Sequence, residues 1–531
     1  MNVKELIENG KAILGIELGS TRIKAVLIEP SGGVIDTGVY EWENSLVDGV
    51  WTYSLDEAIK GMQNCYSCLR ENILKTYGVS IKRLAAIGIS AMMHGIIALD
   101  KDDELLTPFQ TWRNTNTEQA ADELTNLFQF NIPQRWTIAH IYQCILEKEE
   151  YCKQFAHVFT LAGYIHYCLT GEFVIGIDDA SGMFPIDPAT KDFNQKMLDQ
   201  FDDLISKYGY TWRIRGILPK VLCAGDCAGK LTCKGAHLLD PSGELKSGIP
   251  LCPPEGDAGT GMVATNSVAR RTGNVSAGTS IFAMVVLDKQ LSKVYREIDL
   301  VTTPEGYPVA MSHANNGTSD LNAWIRLFAE FSELMGYHTD EKSLFGKLYE
   351  NSLDGDPDCG GLLAYGYYSG ENITKVNEGR LAFLRTPNAN FNLKNFIRVH
   401  LYTSLGAVKV GMDILKKEGI NIDKIQGHGG LFKTKGVGQK YLAAAVNAPV
   451  TVMDHANEGG AWGIALLAAY MVRQNRSFSL SQYLDEVIFS SLEGTTIIPE
   501  EKDVQGFERY EKRYIKGLSI EQEAIRSMNW E

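Results

Sequence analysis

The sequence predicts an α/β protein made of two related halves. Three observations lead there. Apolar strand-like stretches alternate with amphipathic helical ones, which is the pattern of an α/β chain. Two β-hairpins recur about 260 residues apart, as expected if each opens a structurally related half. Both hairpin turns also carry Gly together with Ser or Thr, residue types suited to binding phosphate.

The first hairpin is Ile13 to Ile28, ILGIELGSTRIKAVLI, folded around Leu18-Gly19-Ser20-Thr21. A second turn, Pro30 to Gly33, leads into another extended stretch. A helix then opens at Ser54, with Glu57 three residues on as in a capping box. Its apolar positions Leu55, Ile59, Met62, Leu69 and Ile73 keep helical spacing. A buried-type strand runs from Leu84 to Ser90 and ends at Ala91-Met92-Met93-His94-Gly95, and Ile96 to Asp100 returns as a strand.

The second hairpin, RRTGNVSAGTSIFAMVVLDK, turns at Ala277-Gly278-Thr279-Ser280. Leu393 to Lys417 predicts a long helix broken by Gly419, and a strand follows that ends at Gln426-Gly427-His428-Gly429-Gly430. Val450 to Met453 reads as a short strand, and Gly459-Gly460 opens an Ala-rich helix through Met471. The mixed polar and charged stretch beyond is expected to be a helical C-terminal extension.

The chain has 531 residues, more than one core needs, and roughly two to four domains are expected on length alone. It is 44% hydrophobic and 22% charged, without low-complexity stretches. A net charge of −14 argues against a nucleic-acid partner. It leaves room for an anionic ligand, because backbone amides bind phosphate whatever the global charge.

The opening MNVKELIENG lacks the apolar core of a secretory signal, and the apolar stretch Ala461 to Val472 is too short to span a bilayer. A cytoplasmic protein without a membrane partner is expected. Cys65 and Cys68 form a CxxC inside a helical pattern with no second CxxC, and Cys223, Cys227 and Cys233 lack a neighbouring His pair. Reduced structural or surface thiols are expected rather than a metal or redox centre.

Close approach of backbone to phosphate needs Gly, and adjacent hydroxyls add donors. Gly19-Ser20-Thr21 and Gly278-Thr279-Ser280 both meet that requirement, although either alone also reads as an ordinary hairpin turn. Glu17, two residues before Gly19, is placed to hold Mg²⁺ through water. Asp257, in Glu255-Gly256-Asp257-Ala258-Gly259-Thr260-Gly261, is the candidate general base for phosphoryl transfer to a hydroxyl; a plain Asx-turn is its structural alternative. His94 follows a strand end, where open α/β sheets place ligand crevices, and otherwise reads as a satisfied core histidine. Trp112-Arg113-Asn114 offers a flat apolar face beside polar donors, as a sugar requires.

Together, over residues 12 to 480, these pieces resemble the FGGY family of carbohydrate kinases, within the actin, hexokinase and Hsp70-like ATPase superfamily. The opening hairpin resembles the family's first phosphate motif, and SAMMHGIIALD (Ser90 to Asp100) is similar to the Met-His-Gly strand of xylulokinases. Thr111 to Asn114 looks like its Trp-containing sugar loop, and Ile177 to Gly182 like its Asp-Ala-Ser segment. Asp257 stands at the family's catalytic base, and Gly278-Thr279-Ser280 resembles the second phosphate motif. Tyr368 to Asn372, His428-Gly429-Gly430-Leu431 and Glu458 to Gly463 resemble the Ser-Gly-Glu-Arg, adenosine and Glu-Gly-Ala-x-Gly motifs.

The resemblance implies two actin-like, ribonuclease H-like ATPase domains with an interdomain cleft: residues 10–266 for the sugar, and 267–531 for the nucleotide with the helical extension. It implies ATP and Mg²⁺, with Asp257 as base and Met93, His94, Trp112, Arg113 and Asn114 on the sugar. Gly19, Ser20, Thr21, Gly278, Thr279 and Ser280 would take phosphates, Gly429, Gly430 and Leu431 the adenosine, and Glu17 the metal. The sequence departs from the family at Glu17 (usually Asp), Ala258 (usually an amide) and Asn372 (usually Arg), which points to a sugar held differently.

Met-His-Gly favours D-xylulose, with L-ribulose next; a hexulose, polyol or aldonate stays open. Two other readings stand beside a kinase: an actin-like ATPase switch, and a catalytically impaired sugar-sensing regulator suggested by Glu17 and Ala258. Family members often form dimers, and no feature of this sequence decides for or against a homodimer.

Overall fold

The computed structural model describes residues 2–338, 340–453, 459–473, 477–490 and 492–528. The chain divides into two compact units. Unit 1 is Met1–Val268, Leu300–Val309 and Ala456–Ser491; unit 2 is Ala269–Asp299, Ala310–His455 and Leu492–Glu531.

In chain order the strands that organise the two units are β1 (Ile13–Leu18), β2 (Arg22–Ile28), β3 (Val34–Glu41), β4 (Ala86–Ala91) and β5 (Glu255–Gly256), then β6 (Thr272–Ala277), β7 (Ile281–Val286), β8 (Lys424–His428), β9 (Val450–Met453) and β10 (Gly494–Ile497). The helices are α1 (Leu55–Tyr77), α2 (Thr137–Leu146), α3 (Ile177–Ser181), α4 (Asp257–Ala264), α5 (Leu393–Lys417), α6 (Gly459–Val472) and α7 (Glu501–Ser527).

The sheet of unit 1 has the order β5-β4-β1-β2-β3. β1 and β2 form the antiparallel hairpin, β3 continues it, and β4 and β5 add in parallel on the other side. β4 is buried at every position, as its near-continuous apolar run requires of a strand covered on both faces. In unit 2 the run β7-β6-β8-β9-β10 of a seven-stranded sheet, continued beyond β7 by the strands Pro308–Ala314 and Asp299–Thr302, repeats the plan, with an antiparallel hairpin and two parallel strands beside its first strand. The expected C-terminal helix is α7, but β10 precedes it as an antiparallel strand beside β9. Thr495 and Thr496 are β-branched and suit that edge, a signal too short to outweigh the polar composition around it.

α1 starts where the sequence places it, with the Ser54 hydroxyl accepting the Glu57 N–H at 3.2 Å, and ends at Gly78 with φ +68°. It lies so close to β3 that the Cys65 thiol donates to the Gly38 carbonyl at 2.9 Å. Burial pushes that thiol up to about 12, while Cys68, the other cysteine of the CxxC, is exposed. All ten cysteines are free thiols. Among the described residues no helix is long and apolar enough to cross a membrane.

α6 is apolar on every side and buried along nearly its whole length. It rests directly on the sheet of unit 1 at glycines. A Cβ on Gly15 of β1 would lie 2.1 Å from the Ala461 carbonyl, and one on Gly88 of β4 would lie 2.6 Å from the Ile464 carbonyl. Gly15→Ala forces backbone against backbone, so a loss of about 1–3 kcal/mol is expected in denaturant unfolding. An unchanged midpoint would mean that α6 yields at no cost.

Candidate active site

β1, β4 and β5 are neighbouring parallel strands whose C-terminal ends coincide, since Ala91 pairs with both Leu18 and Gly256. Three candidate groups emerge at that one edge: the turn Gly19-Ser20-Thr21, the turn Met93-His94-Gly95, and Asp257 at the start of α4. A crevice at the carboxyl ends of parallel strands is the usual ligand site of open α/β sheets.

The Gly19–Thr21 turn is held by its carbonyls. Trp42 Nε1 donates to Gly19 O at 2.7 Å and Tyr53 OH to Ser20 O at 2.7 Å, while Trp42 N donates to Thr21 O at 3.3 Å. In a planar trans peptide the next N–H points the opposite way, so the amides of Ser20 and Thr21 face away from these aromatic rings. That arrangement suits an anion. Nothing in the sequence period marks Trp42 and Tyr53, whose rings pack with centroids 4.3 Å apart.

Glu17 lies on β1 beside Ser90 of β4 and Lys24 of β2. Its Oε2 accepts the Ala461 N–H, in the first turn of α6, at 3.1 Å. Gly460 is what admits the extra methylene of Glu over Asp, because a Cβ there would lie 2.4 Å from Glu17 Oε1. Burial, and then the negative charge of Asp257, push the Glu17 carboxyl up to about 7, against the pull of Ala461 N–H and Lys24. A carboxyl raised by burial and a neighbouring anion fits a divalent cation held mainly by phosphate and water, with one protein carboxylate. Glu458, the remaining acid of this motif, lies outside the described residues.

Asp257 Oδ1 accepts the Met93 N–H at 3.2 Å, which ties the candidate base to the candidate sugar turn. Its side chain reaches solvent, yet the surrounding protein raises its pKa, opposed by the Met93 and Ala258 amides and the charge of Arg135. His94 sits at φ +72°, a strained conformation for a non-glycine residue. Its Nδ1 lies 3.5 Å from Gly182 O, and a Cβ on Gly182 would come within 2.7 Å of that nitrogen. Burial, with Arg135 adding its positive charge, holds His94 well below its ordinary pKa, so the ring is neutral and able both to donate and to accept. Arg135 gave no sequence signal, yet its carbonyl accepts the Gly95 N–H at 3.0 Å and its charge acts on both His94 and Asp257.

The loop Thr111–Asn114 abuts this turn through Gln110, whose carbonyl would lie 2.1 Å from a Cβ on Gly95. Asn114 is buried and spends its amide on the main chain of Trp51, accepting at 2.8 Å and donating at 2.8 Å. Arg113 stacks 3.8 Å over the Trp51 ring and donates to Asn44 Oδ1 at 3.0 Å, while Trp112 is 37% exposed. No hydrogen bond joins this loop to His94 or Asp257 among the described residues.

Unit 2 repeats the strand-end geometry. β6 and β8 are parallel through Ser276↔His428, and the turns Gly278-Thr279-Ser280 and Gly429-Gly430-Leu431 follow them side by side. Gly429, at φ +99°, stands where a Cβ would lie 2.5 Å from Ala277 O. The carbonyls of the first turn are again held from behind: Thr318 N donates to Gly278 O at 3.0 Å and Gly317 N to Thr279 O at 2.7 Å. Buried Glu371 fixes the preceding loop, accepting the Asn315 N–H at 2.9 Å and the Asn316 N–H at 3.3 Å. Leu431 is buried in the core, at 1% exposure.

Comparison with known proteins gives a family and relatives for the whole chain. Residues 12–263 match the N-terminal domain, and residues 273–472 the C-terminal domain, of the FGGY family of carbohydrate kinases. Xylulose kinase of Haemophilus influenzae is 20% identical over 520 residues, covering 95% of this chain and 99% of that protein. Gluconokinase of Bacillus subtilis is 24% identical over 69% of each chain. The crystal structure of ligand-bound xylulose kinase from Lactobacillus acidophilus has a TM-score of 0.77 at 17% identity, covering 97% of this chain and 99% of that one. The fold is that of the two-domain actin-like ATPases.

The Glu17 environment has a measurable consequence. The folded chain holds the Glu17 proton more tightly than the unfolded chain does. This group's contribution to stability is therefore fully present below pH 4.5 and lost as the pH rises through about 7. Glu17→Gln keeps an acceptor for Ala461 and removes that loss. The Tm advantage of the variant, measured without nucleotide, is expected to widen across the same window. A constant gap would refute the buried-carboxyl reading.

Proposed function

Because this chain belongs to the FGGY family of carbohydrate kinases, we propose that it transfers the γ-phosphoryl group of ATP to a hydroxyl of a ketopentose, D-xylulose first and L-ribulose next. The enzyme is a sugar phosphotransferase. The observation that carries the finer reading is the meeting of the Gly19–Thr21 turn, the Met93–His94 turn and Asp257 at one edge of three parallel strands. Xylulose kinases among the relatives support the ketopentose.

In this reading Asp257 accepts the proton of the attacking hydroxyl, and its bond to Met93 N–H keeps base and sugar turn in register. Neutral His94 binds a sugar hydroxyl, and the exposed Trp112 offers an apolar face beside Arg113 and Asn114. The amides and hydroxyls of Gly19-Ser20-Thr21 and of Gly278-Thr279-Ser280 bind phosphate oxygens, and the main chain of Gly429-Gly430-Leu431 receives the adenosine while the Leu431 side chain stays in the core. Glu17 would hold Mg²⁺, which when bound neutralises charge on the phosphates.

A second reading, an aldonate such as gluconate, is favoured by one observation: Arg135 places positive charge on both His94 and Asp257. Gluconokinase among the relatives is consistent with it.

ADP release from Mg-ATP across pentuloses, hexuloses, polyols and aldonates, with a no-sugar control, separates these readings. Turnover with D-xylulose is expected. Turnover without sugar would favour an ATPase switch, and none at all a catalytically impaired regulator. Asp257→Asn is expected to lower kcat by roughly 10²- to 10⁴-fold with the fold intact. Full turnover in that variant would remove Asp257 as the base. Glu17→Ala is expected to raise the KM for Mg-ATP more than that for sugar, and the reverse pattern would end its assignment to the metal.

A further inference from the structure

Behind Asp257 lie three carboxyls that the reaction does not use. Asp178 and Asp179 on α3 are 0% exposed, and Glu255 on β5 is 1% exposed. Glu255 Oε2 accepts the N–H groups of Asp178 at 3.1 Å and Asp179 at 3.2 Å, the first turn of α3. Asp178 Oδ2 returns the favour by accepting the Gly259 N–H at 3.0 Å, in the first turn of α4. Glu255 thus caps the helix that carries Asp178, and Asp178 caps the helix that follows Glu255, which begins with Asp257 itself. Asp179 Oδ2 accepts the Thr160 hydroxyl at 2.5 Å. α3 is anchored further by Thr302, whose N–H donates to Ser181 Oγ at 3.1 Å and whose hydroxyl donates to Ile177 O at 3.0 Å.

The second oxygens make the arrangement unusual. Asp178 Oδ1, Asp179 Oδ1 and Glu255 Oε1 are all buried with no hydrogen-bond partner. The site leaves no slack: a Cβ on Gly176 would lie 2.1 Å from Glu255 Cδ, and one on Gly259 would lie 2.4 Å from Asp178 Cγ. Buried anions need partners, and a neutral carboxyl supplies one by donating its O–H to a neighbour's oxygen.

We propose that Asp178 and Glu255 are positioning residues for the Asp257 carboxylate, locking it by reciprocal helix capping through buried carboxyls that do not all stand as anions. Burial is the largest influence on each of them and raises all three. The charges that act on them are one another's and that of Asp257: Asp179 and Asp257 on Asp178, Asp257 on Asp179, and Asp178 and Asp179 on Glu255. Every one of those charges is negative, so each further favours the neutral form of its neighbour. Asn at position 178 would mimic the neutral acid, keeping the acceptor for Gly259. Ala would remove the cap altogether.

The positioning role rests on the kinase reading, whereas the neutral form of these carboxyls does not. Asp178→Ala is expected to lower kcat about 100-fold with KM for ATP unchanged, the cost of a base misplaced by about 1 Å. Asp178→Asn is expected to recover most of that loss. Equal losses in both variants would overturn the neutral lock. Should Asp178→Ala fail to fold, Gly259→Ala, whose added Cβ displaces the same carboxyl, is expected to show the same kcat loss, and unchanged turnover there would overturn the positioning role. Infrared spectra of the full chain at neutral pH are expected to show a neutral-carboxyl band that weakens in Glu255→Gln; no such band would overturn the neutral lock. Absence of sugar-dependent turnover in the parent protein would instead sink the kinase reading and leave the infrared result to judge the lock.

Discussion

The close approach of α6 to the sheet of unit 1 is the constraint on which the site depends. A helix can lie with its backbone against strand backbone only where side chains are missing, and Gly15 and Gly88 supply those places on β1 and β4. The same closeness brings the Ala461 N–H to Glu17 and the bare Cα of Gly460 beneath its carboxylate. Gly463 lets the helix pack on α4 as well, since a Cβ there would lie 2.0 Å from the Thr260 carbonyl. One helix therefore sets the position of the candidate metal ligand and the back of the helix that begins with the candidate base.

The site concentrates carboxyl groups, and among the described residues the cations acting on them are Arg135 and Lys24. Glu17, Asp257, Asp178, Asp179 and Glu255 all belong to unit 1, and burial raises every one of them. What holds them is mostly backbone: the amides of Ala461, Met93, Gly259, Asp178 and Asp179. Amides at strand ends and helix starts are fixed dipoles that cost little to orient, so they stabilise a carboxylate without neutralising it. A basic catalytic carboxylate and a ligand for a divalent cation both benefit from such an environment.

The two units hold their candidate phosphate turns in the same way with different parts. In unit 1 the turn carbonyls are held by Trp42 and Tyr53, and in unit 2 by the Gly317–Thr318 backbone and the Thr318 hydroxyl. Either device turns the peptide planes so that N–H groups face away from the support. Ser and Thr at the turns were legible because they sit beside Gly. Their supports were not, because neither shares a period or a motif with the turn.

The sequence by itself determined the alternating α/β class, both hairpins, α5 from Leu393 to Lys417, the strand Val450–Met453, and the run of motifs that identifies the family. Those features are local: hydrophobic period, turn residues and short spacings are written in neighbouring positions. Tertiary structure alone decided that residues 459–472 pack on a sheet begun at residue 13. It decided that the charge of Arg135 acts on both His94 and Asp257, that Asn114 serves Trp51, and that Glu255 caps the helix carrying Asp178 while Asp178 caps the helix after Glu255. Each of these joins residues far apart in the chain. A contact of that kind is fixed by how whole elements pack, and the pattern of any single segment carries no record of its partner.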